Sequence, residues 1–189
     1  MPPHAASSDA ISKKRIMGAL SHAPELQSTM HVLVVRHAIA EDRSPDVDDA
    51  HRELTRDGVR KLKDVVQGLR ELDWKLDAIL TSPWKRALHT AELLAPICKA
   101  DPITTPLLAE SPRTELLAQI AEQAVDTVAI VGHEPWLGDL VAWLAFGEQK
   151  LGEQLELKKS GVVWLEGSAL PRGMKLRALI PPSVLRELG

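Results

Sequence analysis

Hydrophobic positions along this chain follow two different periods. Short unbroken apolar runs occur at "VLVV" (32–35), "DAIL" (77–80) and "TVAIV" (127–131). Runs of that length with no polar alternation suit strands buried on both faces. Between them, apolar residues recur three and four apart. Val59, Leu62, Val66 and Leu69 form one helical stripe behind Thr55, which is placed to cap it. In "TSPWKRALHTAELLA" (81–95), Ser82 reads as an N-cap and Pro83 as the first helical position. Arg113–Gln123 reads as a third helix and Glu134–Phe146 as a fourth, opened by Pro135. Pro102, Pro106 and Pro112 make 101–112 a short extended segment with loops. "GVVWLEG" (161–167) and "KLRALI" (175–180) read as two strands joined by a turn near Pro171, Arg172 and Gly173.

Strands that alternate with helices predict an α/β domain, a three-layer sandwich with a largely parallel central sheet. The pattern gives no internal repeat and no second domain. Residues 30–189 form the expected domain, with Met30 directly before the first strand. Residues 1–29 mix Ala, Ser and Pro with Lys13, Lys14 and Arg15 and lack the apolar centre of a secretory signal. They read as a disordered tail, with a docked helix over Ile11 to Leu20 as the other reading.

Composition then narrows the function classes. The 189 residues are 44% hydrophobic and 26% charged, ordinary values for a soluble globular protein. A net charge of −3 argues against a general nucleic-acid binder. Cys98, the single cysteine, excludes an internal disulfide and a zinc site built mainly from thiolates. No apolar stretch approaches the ~20 residues that cross a bilayer. The expected compartment is the cytoplasm, with no membrane partner. Seven histidines invite a metal reading, but none forms a His-x₃-His or His-Glu-x-x-His pair. Neither a metal nor another cofactor is therefore expected.

Ligands of parallel sheets sit beyond the carboxyl ends of the strands. Three such ends carry chemistry: Arg36-His37 after the first strand, Ser82 to Arg86 after the second, and Gly132-His133 after "TVAIV". Arg86 stands on the first turn of its helix, where free backbone N–H groups favour an anion. Gly132 permits the sharp turn that aims His133 at the same point. Two guanidinium groups and two imidazoles then surround one spot. Arginine forks match phosphate oxygens, and a neutral imidazole between them is a candidate for attack on phosphorus. Each segment alone has a plainer reading as a solvated turn, a helix cap or a helix start. Their joint occurrence at three successive strand ends is what favours a site.

"RHAIAED", "LTRDG", "ILTSPWKRALHTAELL" and "VGHEP" together resemble, in order and spacing, the small SixA-type branch of the histidine phosphatase superfamily. The likeness covers roughly residues 30–180. The hallmark Arg-His-Gly stands here as Arg36-His37-Ala38. The resemblance implies a phosphoglycerate mutase-like fold and a metal-independent phosphatase. It implies His37 as the phosphorylated nucleophile, Arg36 and Arg86 on the phosphoryl oxygens, and His133 completing the pocket. Arg52 matches a further phosphate-binding arginine of that branch; by spacing alone it is equally a solvated loop residue. Ser82 has two readings, a cap or a hydroxyl beside the phosphate. His89 occupies a helix position where relatives often carry glutamine.

The larger members of the superfamily use a carboxylate as general acid, and no counterpart stands out here. Glu110 and Glu41 are the candidates, each also readable as a solvated loop residue. An alkyl phosphate needs its leaving alkoxide protonated, whereas a phosphoramidate leaving as imidazole demands less. The expected substrate is therefore phosphohistidine on a protein, with a small phosphorylated metabolite or condensed phosphate as runner-up. A non-catalytic phosphate-binding module is the rival from another class. Trp84 and Trp136 flank the pocket, as walls or merely as buried residues. Trp74, Trp143 and Trp164 are expected in the core, and Asp46, Asp48 and Asp49 in an acidic loop nearby.

Overall fold

The computed structural model describes residues 29–46 and 48–189, so the expectations for residues 1–28 lie outside the described residues. The buried runs form β1 (Met30–Arg36), β2 (Ala78–Thr81) and β4 (Thr127–Gly132), and a two-residue β3 (Ile103–Thr104) comes from the proline-punctuated segment. The two late strands are β5 (Val162–Gly167) and β6 (Met174–Ile180). All six join one sheet in the order β3-β2-β4-β1-β5-β6. The β3-β2, β2-β4 and β4-β1 pairs are parallel, and β5 runs antiparallel to both its neighbours. The mostly parallel α/β sandwich agrees with the pattern in the sequence.

Helices cover both faces, which is why β1 is apolar without alternation. Val32 and Val34 face a core with Leu116 and Ile120 of α3 (Thr114–Glu122) and Leu137 and Leu140 of α4 (Trp136–Phe146). Leu33 and Val35 face the opposite core. It holds Leu62 and Leu69 of α1 (Arg56–Glu71), with Ala87 and Leu94 of α2 (Lys85–Leu94). Trp143 packs at the edge of the first core and Trp74 and Trp164 at the edge of the second, so all three are half-buried rather than fully enclosed.

Thr55 caps α1 as expected, its hydroxyl accepting from the Gly58 N–H at 3.0 Å. The expected start of α2 is corrected. Its N-cap is Trp84, and Ser82 and Pro83 lie outside the helix because the Ser82 hydroxyl is engaged elsewhere. Likewise α4 begins at Trp136, with Pro135 just before it.

A fifth helix, α5 (Pro182–Leu188), was not anticipated. At seven residues it is too short for its stripe to show, yet Leu185 is fully buried against α1. Gly68 on α1 makes that approach possible, since a Cβ there would run into the Leu185 carbonyl oxygen. Gly68→Ala should therefore push α5 away and lower the melting temperature by several degrees, although alanine is the better helix former. Thermal unfolding followed by circular dichroism checks this; an unchanged or raised midpoint would show that the contact is dispensable.

Candidate active site

Strand register brings the three chemical segments together. Val35 pairs with Val131, which in turn pairs with Thr81, so β1, β4 and β2 end at one level. The next residues of those strands lead into His37, His133 and Ser82. Arg36 and His37, the start of α2 and the start of α4 line one cleft of about 400 Å³.

His37 is only 5% exposed. Its Nδ1 lies 2.8 Å from the Ala38 carbonyl, an acceptor, so Nδ1 carries the proton. Its Nε2 accepts from Arg86 Nε at 3.2 Å, so its lone pair faces that guanidinium. Burial pushes the imidazolium form down to about 3, against the Ala38 hydrogen bond and with help from Arg86 and Arg36. The Ala38 N–H donates to Thr90 Oγ1 at 3.0 Å, and that hydroxyl donates to the Arg86 carbonyl at 2.7 Å. The end of β1 is thus tied directly to α2.

His133, 2% exposed, stands with its ring centroid 5.1 Å from that of His37. Its Nε2 is 2.9 Å from Ser82 Oγ, and its Nδ1 is buried without a partner. Burial first, then Arg86, lower it to about 2. Ser82 does not line the cleft. Its hydroxyl orients His133 and accepts from the Trp84 N–H at 3.3 Å, which corrects both readings made from the sequence.

Two neutral buried histidines carry a consequence for stability. An unfolded histidine titrates near 6.5. As pH falls, the unfolded chain binds protons at these two sites before the folded chain does. Their contribution is complete above about pH 6.5 and is lost progressively towards pH 3. Each steepens the loss by up to about 1.4 kcal/mol per pH unit. Denaturation midpoints should fall between pH 7 and pH 5, and His133→Gln should flatten the slope. A slope that the substitution leaves untouched would contradict a neutral buried His133.

Arg86 has a side chain only 3% exposed and commits one N–H of each guanidinium nitrogen, which leaves one N–H on Nη1 and one on Nη2. Besides His37, it donates from Nη2 to Asp49 Oδ2 at 2.9 Å and from Nη1 to the Asp49 carbonyl. Trp84 lies beneath it, with the guanidinium carbon 4.7 Å from the ring centroid. The same Asp49 carboxylate accepts from Arg52 Nε at 2.8 Å and Arg43 Nε at 3.2 Å. Burial raises the Asp49 carboxyl, but Arg86 and Arg52 outweigh it and hold it below the usual aspartate value. Arg52 also donates from Nη1 to the Glu41 carbonyl at 2.6 Å. The acidic loop is thus in part an arginine clamp.

Arg36 donates from Nη1 to the Leu157 carbonyl at 2.8 Å, and its Nε is buried without a partner. The Ser160 N–H caps the carbonyls of Arg36 and His37 at 3.1 and 3.3 Å. That turn brings Lys159 to the cleft, a cation the sequence reading missed. No local pattern marks it, because only the tertiary contact with β1 places it there. Glu134 was also missed, although it adjoins His133. It lines the cleft, and burial raises its carboxyl against the opposing Gly138 N–H and Arg36. Glu110 pairs with Arg113, Glu41 is exposed, and neither lines the cleft. His89 lines a separate shallow depression with Lys85 and Glu92. Among the described residues no three His, Cys, Asp or Glu side chains cluster as metal ligands, and no helix is long and apolar enough to cross a membrane.

Fold and cleft define a phosphoglycerate mutase-like α/β protein with arginines and histidines at the carboxyl end of its sheet. A family profile described as the histidine phosphatase superfamily (branch 1) matches residues 32–112. An uncharacterised protein of Picosynechococcus sp. is 38% identical over 146 residues, covering 74% of this chain and 87% of that protein. The chain belongs to the histidine phosphatase superfamily. Its fold matches that of the protein histidine phosphatase SixA complexed with tungstate (TM-score 0.69, 22% identity, 82% of this chain and 99% of that one). It also matches alpha-ribazole phosphatase from Shigella flexneri (TM-score 0.67, 18% identity, 81% and 97% covered). A third match is phosphoserine phosphatase from Entamoeba histolytica in complex with 3-phosphoglyceric acid (TM-score 0.58, 18% identity, 80% and 97% covered).

Proposed function

We propose that the protein hydrolyses a phosphoryl group through a covalent phosphohistidine on His37, and that phosphohistidine on a protein is its favoured substrate. The observation that carries the reading is the state of His37. Its Nδ1 proton is held by the Ala38 carbonyl, which leaves the Nε2 lone pair facing the Arg86 guanidinium. A neutral imidazole whose lone pair meets a cation is prepared to receive an electrophilic phosphorus drawn in by that cation.

In the first step Arg86 Nε releases Nε2 and turns to a phosphoryl oxygen, the freed lone pair forms the N–P bond, and the bond from phosphorus to the leaving group breaks with its electron pair. Arg36 and Arg86 balance the charge on the phosphoryl oxygens, with Arg52 and Lys159 at the rim. His133, neutral and 5.1 Å from His37 between centroids, turns its Nε2–H from the Ser82 hydroxyl to an equatorial oxygen as charge builds there. In the second step water attacks phosphorus, the N–P bond breaks, and Nε2 recovers its lone pair as phosphate leaves.

The leaving group supports the phosphoramidate reading. Glu134 is the carboxyl nearest in sequence to His133, but its Oε2 accepts from the Gly138 N–H at 3.1 Å and its Oε1 has no exposed surface. A carboxyl turned to the N-terminus of α4 is poorly placed to protonate an alkoxide, whereas an imidazole leaving group demands less and takes its proton from water. Protein phosphohistidine should therefore be turned over at least tenfold faster than phosphoserine or pyrophosphate, with activity unchanged by a chelator. Glu134→Gln should leave phosphohistidine turnover within about threefold. Faster hydrolysis of a small ester, with loss on Glu134→Gln, would favour a metabolite phosphatase with Glu134 as acid. Loss to a chelator and recovery with a divalent ion would overturn the arginine-based chemistry. Binding of phosphate with no turnover of any substrate would make the cleft a capture module.

A further inference from the structure

We infer that Trp136, backed by Trp84, is a specificity-determining residue that selects phosphoryl compounds bearing a planar ring at the leaving group. This rests on the phosphoryl-transfer reading of the cleft and names the substrate class that the cleft prefers.

The five tryptophans divide into two groups. Trp74, Trp143 and Trp164 pack on the two hydrophobic cores. Trp84 and Trp136 instead pack on each other, with centroids 5.8 Å apart and planes at 68°, and on His133. Both line the cleft beside Arg36 and His37, and both remain half-buried. A core role does not account for a pair of indoles at a charged site, where exposed apolar area is costly unless a ligand covers it.

The two rings do different work. Trp84 lies 4.5 Å from the His133 ring and 4.7 Å from the Arg86 guanidinium carbon, so it is a positioning residue for both. Trp136 stands edge-on to His133 at 6.3 Å and 89°, which leaves the rest of its ring as wall. Much of the remaining lining is charged, with Asp42, Arg43, Asp49 and Arg52. A ligand that fits this mixed lining carries a phosphoryl group at one end and a flat apolar or heteroaromatic ring at the other. An imidazole ring has that form, and a serine or an alkyl chain does not.

Two non-hydrolysable probes separate ring recognition from phosphoryl recognition without requiring turnover. Calorimetric titration of the full chain with phenylphosphonate and methylphosphonate should show preference for the phenyl compound. Trp136→Ala should weaken phenylphosphonate by about two- to tenfold, the scale of one aromatic pair, and leave methylphosphonate within about twofold. Trp136→Phe should keep most of the preference. Trp136→Leu, which retains apolar volume at the start of α4, should lose it even where alanine disturbs the helix. Equal weakening of both probes, no change in either, or binding of neither to the wild type would overturn the inference. The phosphoryl-transfer reading is judged separately, by label on His37. Label without phenyl preference removes the inference alone, and phenyl preference without label removes that reading alone.

Discussion

His37→Ala should reduce turnover to background for every phosphorylated substrate. No neighbouring group can take over its part. His133 serves as a donor through Nε2–H, which leaves no lone pair on that nitrogen, and its Nδ1 has no exposed surface. Cys98 lies outside the cleft lining, and Ser82 has its oxygen committed to His133 and the Trp84 N–H. The substitution also strips Arg86 Nε of its acceptor, which costs about 1–3 kcal/mol of stability when the donor stays buried. His37→Gln is therefore the companion variant, since its amide oxygen can accept from Arg86 while offering no nucleophilic nitrogen. Both variants should be folded by circular dichroism and inactive in a steady-state assay. Near wild-type turnover in either would remove His37 from the chemistry.

Arg86→Ala should lower kcat/KM on the order of 10²-fold or more, the usual cost of one donor to developing charge. The site suggests a loss at the upper end of that scale. Arg86 touches His37, Asp49 and Trp84 at once, so its removal unseats the nucleophile and the clamp together. Lysine should rescue little, because a single ammonium cannot reach a histidine nitrogen and a carboxylate in fork geometry. Asp49→Asn should cost less, roughly tenfold or below, since the Asp49 backbone carbonyl still accepts from Arg86 and the amide oxygen replaces one of the two carboxylate oxygens. A loss from Asp49→Asn as large as that from Arg86→Ala would assign the carboxylate a direct part in the reaction. The comparison needs only initial rates over a range of substrate concentrations.

Much of this arrangement was legible before any coordinates. β1, β2 and β4 announce themselves because burial on both faces forbids polar alternation, and α1 shows its stripe because one face meets water. Arg36, His37, Arg86 and His133 follow from the same logic, since each stands just past a strand end or on the helix turn after it. Several features stayed hidden for physical reasons. A hydroxyl after a strand looks the same whether it caps a helix, meets a phosphate or orients an imidazole, so the sequence leaves Ser82 with the first two readings and does not show the third. Asp49 is expected near the pocket, but its bond to Arg86, like the place of Lys159 beside Ser160 and its hydrogen bonds to the end of β1, is set by long-range contacts. Glu134 adjoins His133 in sequence, but its raised carboxyl is a property of burial, which no spacing reports. The short α5 left no stripe, and only Gly68 hints at the close contact it makes.

The central claim is that phosphorus passes through Nε2 of His37. Mixing the protein with a labelled phosphoryl donor, quenching within milliseconds in alkali and mapping the label by mass spectrometry tests it most directly. The account predicts a phosphoenzyme on His37 that survives alkali, disappears in acid as protonation makes imidazole a better leaving group, and is absent from His37→Gln. Label on another residue, or full turnover with no label on His37 in a substrate-saturated quench, would contradict it.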